Sequence, residues 1–252
     1  MRSDPPVLVL LPHPDDEFAV LPFLRRAVEE GRELHLIWLT DGGAGRAAPT
    51  LRARESLDAL AAAGIRCATC RFLGIDERIP DGYLHRHMAR TRVALLRALE
   101  PFDGPIELWV PAWEGGHQDH DAAHALGRSL AKDRPGVTLQ FPLYRSGDRW
   151  GLSFTALSPL RGMRVARREH LAFGEAVRLL LTCLRYRSQW RSFLGLLPVA
   201  AVRLLVLRRP MVLCEIDIGS ALDRPHPGVL LYERRTTWRW LDLRSALDEL
   251  DP

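Results

Sequence analysis

The N-terminal half of the chain alternates short apolar runs with stretches of helical spacing. The first run, Val7–Leu11, is rich in branched aliphatic residues and too short for a helix, which predicts a buried parallel strand. From Phe18 to Glu30 the apolar residues recur at helical spacing, and Gly31 follows as an expected helix stop. The alternation then continues. Further strands are predicted over residues 33–38, 65–73, 107–111 and 138–144, and helices over residues 50–63, 85–99 and 117–130.

This alternation is typical of βαβ units joined by right-handed crossovers. It predicts an α/β protein, a Rossmann-like three-layer αβα sandwich with a mostly parallel sheet and an elaborated C-terminal region. We expect a single domain over residues 1–252, because the chain has no linker, repeat or low-complexity segment. Its core would cover about residues 7–145, and residues 146–252 would form a lid or substrate-specificity region.

The pattern is less regular after Gly147. A long helical pattern covers residues 169–190, and a closing helix is predicted over residues 245–250. Two strands are predicted over residues 212–218 and 229–240, the second from alternating aromatic and arginine positions.

A polar cluster, His13-Pro14-Asp15-Asp16-Glu17, directly follows the first strand. In open α/β sheets such strand ends carry the ligand site. His13 and Asp16 are residue types that bind a borderline metal such as zinc, and across a turn they can reach one ion. Asp15 is then free to serve as general base for a metal-bound water. The alternative is that these acids simply cap the following helix.

A second cluster, His117-Gln118-Asp119-His120, follows the predicted fourth strand. In the common doubly wound order the first and fourth strands flank the point where the winding reverses, so both clusters would face one crevice. Two distant groups of metal-binding residue types then converge, which favours a metal site over coincidental capping.

Two other functions are compatible with the same residues. His120 and His124 have the i, i+4 spacing of the zinc-protease helix, although Asp121 stands where that motif has glutamate. His124 would more readily have a structural role. A non-catalytic binding protein on a Rossmann-like core is the other alternative, and the complete set of candidate groups argues against it.

Composition excludes several functions. The net charge is only +4 and no aromatic-basic platform accompanies it, so we expect no nucleic-acid partner. Four cysteines do not form a disulfide framework in 252 residues. Cys67 and Cys70 have CxxC spacing, and we expect them to be small buried residues and not a redox motif or a zinc knuckle. A reducing cytoplasm fits best. Residues 1–6 show no hydrophobic signal core.

Residues 193–207 are apolar apart from Arg203 and are flanked by arginines. At about 16 residues, interrupted by Pro198, the stretch is predicted to be too short to span a bilayer. A lid or packing helix pair is the preferred interpretation, and peripheral membrane contact through residues 191–209 is the alternative. A homo-oligomer is compatible with the sequence, which does not define the oligomeric state.

The motifs together resemble the PIG-L (LmbE-like) family of zinc-dependent N-acetylglucosaminyl deacetylases. The resemblance rests on HPDDE after the first strand, TDGGAG over residues 40–45, Arg52 and Glu55 before Gly64, and the HQDH segment. It covers about residues 7–145, and Tyr186-Arg187-Ser188-Gln189 resembles a segment of bacterial members. The second motif usually has proline where Gln118 stands.

The resemblance implies a role for each matching residue. His13, Asp16 and His120 would bind Zn²⁺, for which Fe²⁺ is a chemically suitable substitute. Asp15 would take a proton from the metal-bound water and deliver it to the leaving amine, and charged His117 would stabilise the oxyanion. Two further roles are implied for Asp119, which would orient a histidine from outside the ligand set, and Arg52, which would bind the sugar or its acyl group.

The implied activity is hydrolytic removal of an N-acetyl or similar short acyl group from an N-acetylglucosamine-type sugar conjugate. The substrate would be an N-acetylated amino sugar, either a small molecule or a glycoconjugate. No feature of residues 146–252 identifies the rest of the substrate.

Overall fold

The computed structural model describes residues 4–43, 48–147 and 154–250. The strands in these ranges are β1 (Val7–Leu11), β2 (Leu34–Trp38), β3 (Thr69–Arg71), β4 (Ile106–Pro111), β5 (Gly136–Phe141), β6 (Tyr144–Ser146), β7 (Phe154–Ala156), β8 (Val165–Glu169) and β9 (Met211–Glu215). The α-helices are α1 (Leu21–Glu29), α2 (Pro49–Ala62), α3 (Leu73–Asp76), α4 (Met88–Leu99), α5 (Gln118–Asp133), α6 (Phe173–Thr182), α7 (Trp190–Ala201), α8 (Leu231–Arg235) and α9 (Trp240–Leu250).

The main sheet has seven described strands in the order β3-β2-β1-β4-β5-β9-β8. Strands β1 to β5 are parallel, and β9 pairs antiparallel with β5 and with β8. From β1 the chain builds outward through β2 and β3, and it then returns to place β4 on the other side of β1. The predicted mostly parallel sheet of an α/β fold is therefore confirmed, and the antiparallel strands β8 and β9 extend it with residues from the C-terminal region.

Both faces of the sheet are covered, as the continuous apolar strands require. Val7 and Val9 of β1 pack in a core with α1, α2, α6 and α7, whereas Leu8 and Leu10 pack in a second core with α4, α5 and α9. The period of two along a strand thus assigns neighbouring residues to opposite layers. This arrangement gives the three layers that the sequence predicts.

Several predicted boundaries are wrong at their ends. The first helix begins as a 3-10 turn, Asp16–Ala19, before α1. The third strand is shorter than predicted, because it is an edge strand paired only with β2 over Thr69–Arg71. The fifth strand ends at Phe141, just before Pro142. The long predicted helix over residues 169–190 is divided between α6 and two 3-10 turns, Cys183–Arg185 and Arg187–Gln189.

The predicted strand over residues 229–240 is wrong, since α8 lies there and α9 starts at Trp240. Glu233 explains the difference. Its carboxylate accepts hydrogen bonds from the backbone N–H groups of Leu230 and Trp240, at 3.0 Å each, and thereby stabilises the starts of both helices. Alternating aromatic and arginine residues could not reveal this local capping.

Candidate active site

The two polar clusters meet at the carboxyl ends of β1 and β4. These strands are direct neighbours in the sheet, and they flank the point where the winding direction reverses. The crevice predicted from the strand order is therefore present. The imidazole rings of His13, His117 and His120 lie within 5.3 Å of one another, centroid to centroid.

The turn after β1 holds His13 and Asp16 together. His13 donates its backbone N–H to Asp16 Oδ2 at 2.9 Å, and His13 Nδ1 lies 3.1 Å from the same oxygen. Asp15 has a φ of 121°, in a backbone region that favours glycine. Such strain, of about 1–3 kcal/mol, is typical of functional sites, and the surrounding contacts must hold the residue in place.

The turn after β4 leads into α5, whose buried first turn carries the second cluster. His120 Nε2 lies 3.3 Å from Asp16 Oδ1, so Asp16 lies between His13 and His120. A Cβ at Gly116 would lie 1.8 Å from the Tyr144 carbonyl oxygen, so glycine is required for this loop to pack closely. Gln118 donates a hydrogen bond from Nε2 to the Gly82 carbonyl at 3.0 Å, so it supports the turn where the family has proline.

Asp81 is a part of the site that the sequence prediction omitted. It lies in the loop after β3 and α3, with Oδ1 at 3.2 Å from His13 Nε2. The signal was available, because this loop also leaves the carboxyl edge of the parallel sheet. Asp119 Oδ2 lies 3.1 Å from the same His13 nitrogen, and Asp119 accepts hydrogen bonds from the N–H groups of Gly82 and Leu84. Its predicted contact with a neighbouring histidine is present.

Arg52 extends from α2 into the site but binds protein groups with both terminal nitrogens. Nη2 lies 3.1 Å from Asp15 Oδ1 and Nη1 lies 3.0 Å from Asp81 Oδ2. The guanidinium also donates to the backbone carbonyls of Pro14 and Gly42. In this arrangement Arg52 orients Asp15 and Asp81, and its predicted contact with substrate stays a prediction.

Burial and neighbouring charges strongly change the protonation of these groups. Burial raises the pKa of Asp15 to about 8, although the Arg52 guanidinium opposes the rise. Burial tends to lower the pKa of His13, but Asp81 and Asp16 outweigh this effect and raise it well above the usual value. Burial would raise the Asp16 pKa, yet His120 and His13 hold it well below the usual range.

His117 differs in charge from the expectation. Burial, together with the nearby His13, lowers its pKa to about 4, so the ring is neutral near pH 7. Its Nδ1 accepts a hydrogen bond from the Asp119 backbone N–H at 3.2 Å. The proton of the neutral ring is therefore on Nε2, from which His117 can donate a hydrogen bond.

The donor set fits a divalent cation. His120 is buried, and neither ring nitrogen makes a well-formed hydrogen bond to a described residue, although Nε2 lies 3.3 Å from Asp16 Oδ1; burial of this kind costs free energy unless an ion or water is bound. Among the described residues, one ligand atom each from His13, His117 and His120 lie within 4.8 Å of one another, and so do atoms of His13, Asp81 and Asp119. Asp16 contacts two of these histidines. The mixed nitrogen and oxygen ligands suit zinc or ferrous iron.

A cavity of ≈ 850 Å³ opens above these groups. We call its polar base the floor; it consists of His13, Asp15, Asp16, Arg52, Asp81 and His117. Residues 188–196, from the 3-10 turn before α7 and from α7 itself, form what we call the roof. Tyr144 lines the cavity too, with its ring centroid 5.1 Å from that of His120. Tyr144 was not predicted as part of the site. The roof lies within residues 146–252, where a lid or substrate-specificity region was expected, but none of its residues was assigned to the site.

Two buried glutamates attach the roof region to the core. Glu17 accepts hydrogen bonds from Trp38 Nε1 at 3.1 Å and from the Tyr186 hydroxyl at 3.0 Å. Glu55 accepts from the Ser188 backbone N–H at 2.9 Å and from its hydroxyl at 2.6 Å. The Tyr186–Gln189 segment of the family resemblance is therefore the connection between the C-terminal region and the site.

His124 does not take part in this cluster. Its Nδ1 lies 2.9 Å from the Pro111 carbonyl oxygen, and its ring packs against Trp113. Among the described residues it belongs to neither group that could hold an ion. The structural role expected for His124 agrees with these contacts, which do not support a His120/His124 protease site.

Residues 8–131 match the family model of PIG-L, described as GlcNAc-PI de-N-acetylase. The resemblance noted from the motifs is thereby confirmed. No curated protein matches the chain.

Solved structures with a similar fold include deacetylases. The conserved protein TT1542 from Thermus thermophilus is 21% identical, with a TM-score of 0.59 and coverage of 85% of this chain and 96% of that one. The A40926 pseudoaglycone deacetylase Dbv21 is 18% identical, with a TM-score of 0.58 and coverage of 86% and 98%. N,N'-diacetylchitobiose deacetylase from Pyrococcus horikoshii is 15% identical, with a TM-score of 0.58 and coverage of 82% of both chains. At these identities the similarity establishes the fold.

Proposed function

Residues 8–131 belong to the PIG-L family, and from this premise we propose that the protein is a metal-dependent N-deacetylase of N-acetylated amino-sugar conjugates. The observation that carries the proposal is the convergence of His13, Asp16 and His120 beside the carboxyl of Asp15, whose side chain is 14% exposed. A metal-dependent hydrolase that attacks an amide with water needs a Lewis acid and a base in one cavity.

In this proposal His13, Asp16 and His120 would hold the ion, Zn²⁺ or Fe²⁺. When bound, the ion would supply Lewis-acid activation of water and of the acyl carbonyl group. The excess of carboxylates around the histidines supports a cation here. Asp15, Asp16, Asp81 and Asp119 all lie close to the site, with Arg52 as the arginine that directly contacts Asp15 and Asp81.

Asp15 is the proposed proton carrier. Its carboxylate would accept a proton from water as the water oxygen bonds to the acyl carbon, and it would return that proton to the nitrogen as the carbon–nitrogen bond breaks. The products are a carboxylic acid and a free amine, and transfer of the acid proton to the amine then gives a carboxylate and an ammonium ion. Arg52 holds the carboxylate in place, and a cation on the neighbouring ligands would favour its ionised form.

His117 would stabilise the negative charge that develops on the acyl oxygen. As a neutral ring with Nδ1 engaged by the Asp119 N–H, it would donate from Nε2. A donor aimed at a developing oxyanion contributes about 3 kcal/mol in comparable sites. This role needs no imidazolium, unlike the one that the resemblance implied.

The cavity supports a sugar-sized acyl amine as substrate. Its volume of ≈ 850 Å³ exceeds what an acetyl group alone needs, and its floor is polar while the roof includes Phe193 and Leu196. Two of the similar structures are named as deacetylases of the A40926 pseudoaglycone and of N,N'-diacetylchitobiose. The second name denotes an N-acetylated amino sugar, which supports this substrate class.

The test is release of free amine from a panel of N-acetylglucosamine conjugates by zinc-loaded protein. Asp15→Asn should lower turnover by about 10²–10⁴-fold while bound zinc stays stoichiometric. Asp58→Asn, on the exposed side of α2, is the matched control and should leave the rate unchanged. An unchanged rate in Asp15→Asn would remove Asp15 as the base. Stoichiometric metal with no release from any acyl sugar would favour a binding protein.

A further inference from the structure

α7 and the π-helix that follows it, Val202–Val206, form one helical segment that exposes a continuous apolar stripe. Every member of this stripe is exposed, and they follow at intervals of four residues: Trp190, Leu194, Pro198, Val202 and Val206. The exposed fraction is 64% for Leu194 and 71% for Val206. Contiguous exposed apolar surface of this kind marks an interaction site more often than scattered single residues do.

The opposite side of the same segment is anchored in the protein. Phe193, Ala200 and Leu204 are buried in the core that α1, α2 and α6 share. Ser188, just before α7, is bound to Glu55. The segment therefore has two distinct faces, one packed on the core and one that is largely exposed.

Charge distinguishes this part of the chain from the rest. Between Glu175 and Glu215 the sequence contains no acidic residue, and its only charged residues are seven arginines. Several are exposed and flank the apolar stripe at both ends: Arg185, Arg187, Arg191, Arg208 and Arg209. An apolar stripe flanked by arginines complements a surface that is apolar inside and anionic at its boundary.

We propose that α7 and the following π-helix bind the surface of an anionic lipid bilayer, with the helical segment lying in the plane of the membrane. The apolar stripe would enter the boundary between headgroups and acyl chains, and the flanking arginines would bind lipid phosphates. Trp190 lies at the N-terminal end of the stripe, and the Arg191 guanidinium is 5.3 Å from its ring centroid. Tryptophan is enriched at membrane interfaces.

The segment lies on the membrane in this proposal and does not cross it. Among the described residues Arg187–Val206 is the helical segment that could span a membrane by length and composition, with 20 residues and a mean hydropathy of 1.2. The prediction that this region is too short to span a bilayer is therefore wrong, because the helical segment is longer than the apolar stretch. Its packing argues against spanning, because crossing a bilayer would remove Phe193, Ala200 and Leu204 from the core.

A second copy of this chain is a poorer partner for the same surface. In a symmetric dimer through this surface, the arginines of one copy would lie close to the arginines of the other. Residues 176–214 contain no acidic residue that could neutralise this repulsion. Anionic lipid supplies the missing negative charge.

Docking would also set the position of the cavity. The roof and the apolar stripe belong to the same helix, since Phe193 and Leu196 line the cavity while Leu194 faces away from the core. The cavity would then lie beside the membrane surface. The docking surface stands on exposure and charge and does not depend on the proposed deacetylation.

The experiment is flotation of the full-length protein with vesicles, without substrate. Wild type should bind vesicles of phosphatidylcholine mixed with phosphatidylglycerol and should bind pure phosphatidylcholine much more weakly. Binding should fall between about 0.1 M and about 1 M salt, where the screening length decreases from ~10 Å to ~3 Å. Equal binding to both vesicle types, or to neither, would overturn the proposal.

Two pairs of variants test the residues. Leu194→Glu together with Val206→Glu should lower the partition coefficient by roughly tenfold or more, because charge replaces the apolar contact. Leu241→Glu, which changes a leucine of α9 that is 72% exposed, should bind like wild type. Arg208→Gln with Arg209→Gln should lower binding roughly 30-fold, about fivefold for each arginine. Arg66→Gln with Arg97→Gln, at exposed positions elsewhere, is the matched control.

The variants also separate lipid from a protein partner. Circular dichroism and bound zinc should be unchanged in all of them, since each substituted side chain is exposed. Wild-type affinity in the Leu194→Glu, Val206→Glu variant would overturn the proposal. So would a wild-type dimer that this variant converts to monomer while neither protein binds vesicles. If wild type binds vesicles as expected but releases no amine from any acyl sugar, the proposed function is contradicted and the docking proposal is not.

Discussion

The floor and the roof of the cavity differ in almost every physical property. The floor is dense in charge, and most of its groups come from turns that follow strands buried on both faces. The roof comes from a helix that shows one face to the core and an apolar stripe to the outside. The difference indicates that the sheet positions the polar groups of the site, whereas in our proposals the C-terminal region would cover the cavity and dock the protein on lipid.

Removing a proposed metal ligand should have the largest effect. His120→Ala deletes a buried imidazole that faces Asp16, so metal affinity should fall by more than about 100-fold, and activity with it. Metal content after dialysis and amine release measure the two effects. His124→Leu should keep its metal but lose about 1–3 kcal/mol of unfolding free energy, because the buried Pro111 carbonyl loses its partner. Metal loss in His124→Leu with retention in His120→Ala would reverse our assignment.

A smaller effect is expected when the support of the floor is changed. Arg52 lowers the pKa of Asp15, so Arg52→Met should raise that pKa by about 1–3 units. The rising limb of kcat/KM should then move to higher pH, and the rate at pH 7 should fall by about tenfold or more. A pH profile measures the shift. Arg52→Lys keeps the positive charge, so the rising limb of its kcat/KM profile should lie close to that of wild type. A raised KM with an unmoved limb would show instead that Arg52 binds substrate.

Breaking the contact between roof and core should have a smaller effect on activity than the changes above. Glu55→Gln weakens the two hydrogen bonds to Ser188, so the unfolding free energy should drop by about 1–2 kcal/mol. We expect KM to rise several-fold with little change in kcat, because the floor is untouched. A double-mutant cycle with Ser188→Ala should be non-additive. Additive effects would mean that the contact does not position the roof.

The smallest effect on catalysis is expected for a buried carboxyl outside the floor, whose substitution should change stability alone. Glu114 is buried, and its Oε1 accepts the N–H groups of Leu143 and Tyr144; burial raises its pKa from 4.5 to about 7. Since the folded state holds this proton more tightly, its stabilising contribution is present below about pH 4.5 and is lost as the pH rises through 7. Glu114→Gln should therefore match wild type near pH 4.5 and gain up to about 3 kcal/mol relative to it above pH 7. Urea unfolding of metal-free protein at both pH values measures this, and a difference independent of pH would contradict it.

The amino-acid sequence by itself determined the sheet and the place of the site. Strand periods, helical spacing and glycine stops are local properties, so β1, β2, β4 and their following helices could be predicted before any contact was known. The convergence of His13 and Asp16 with His120 followed too, because parallel strands on either side of a switch point end at one crevice.

Only the tertiary structure decided the contacts between distant segments. Asp81 reaches His13, Arg52 holds Asp15, and Glu55 binds Ser188, although none of these pairs is close in sequence. The neutral charge of His117 likewise depends on burial among other side chains. Periodicity determines which face of an element is apolar, but the packing of whole helices determines which polar groups meet, and that packing depends on the entire chain.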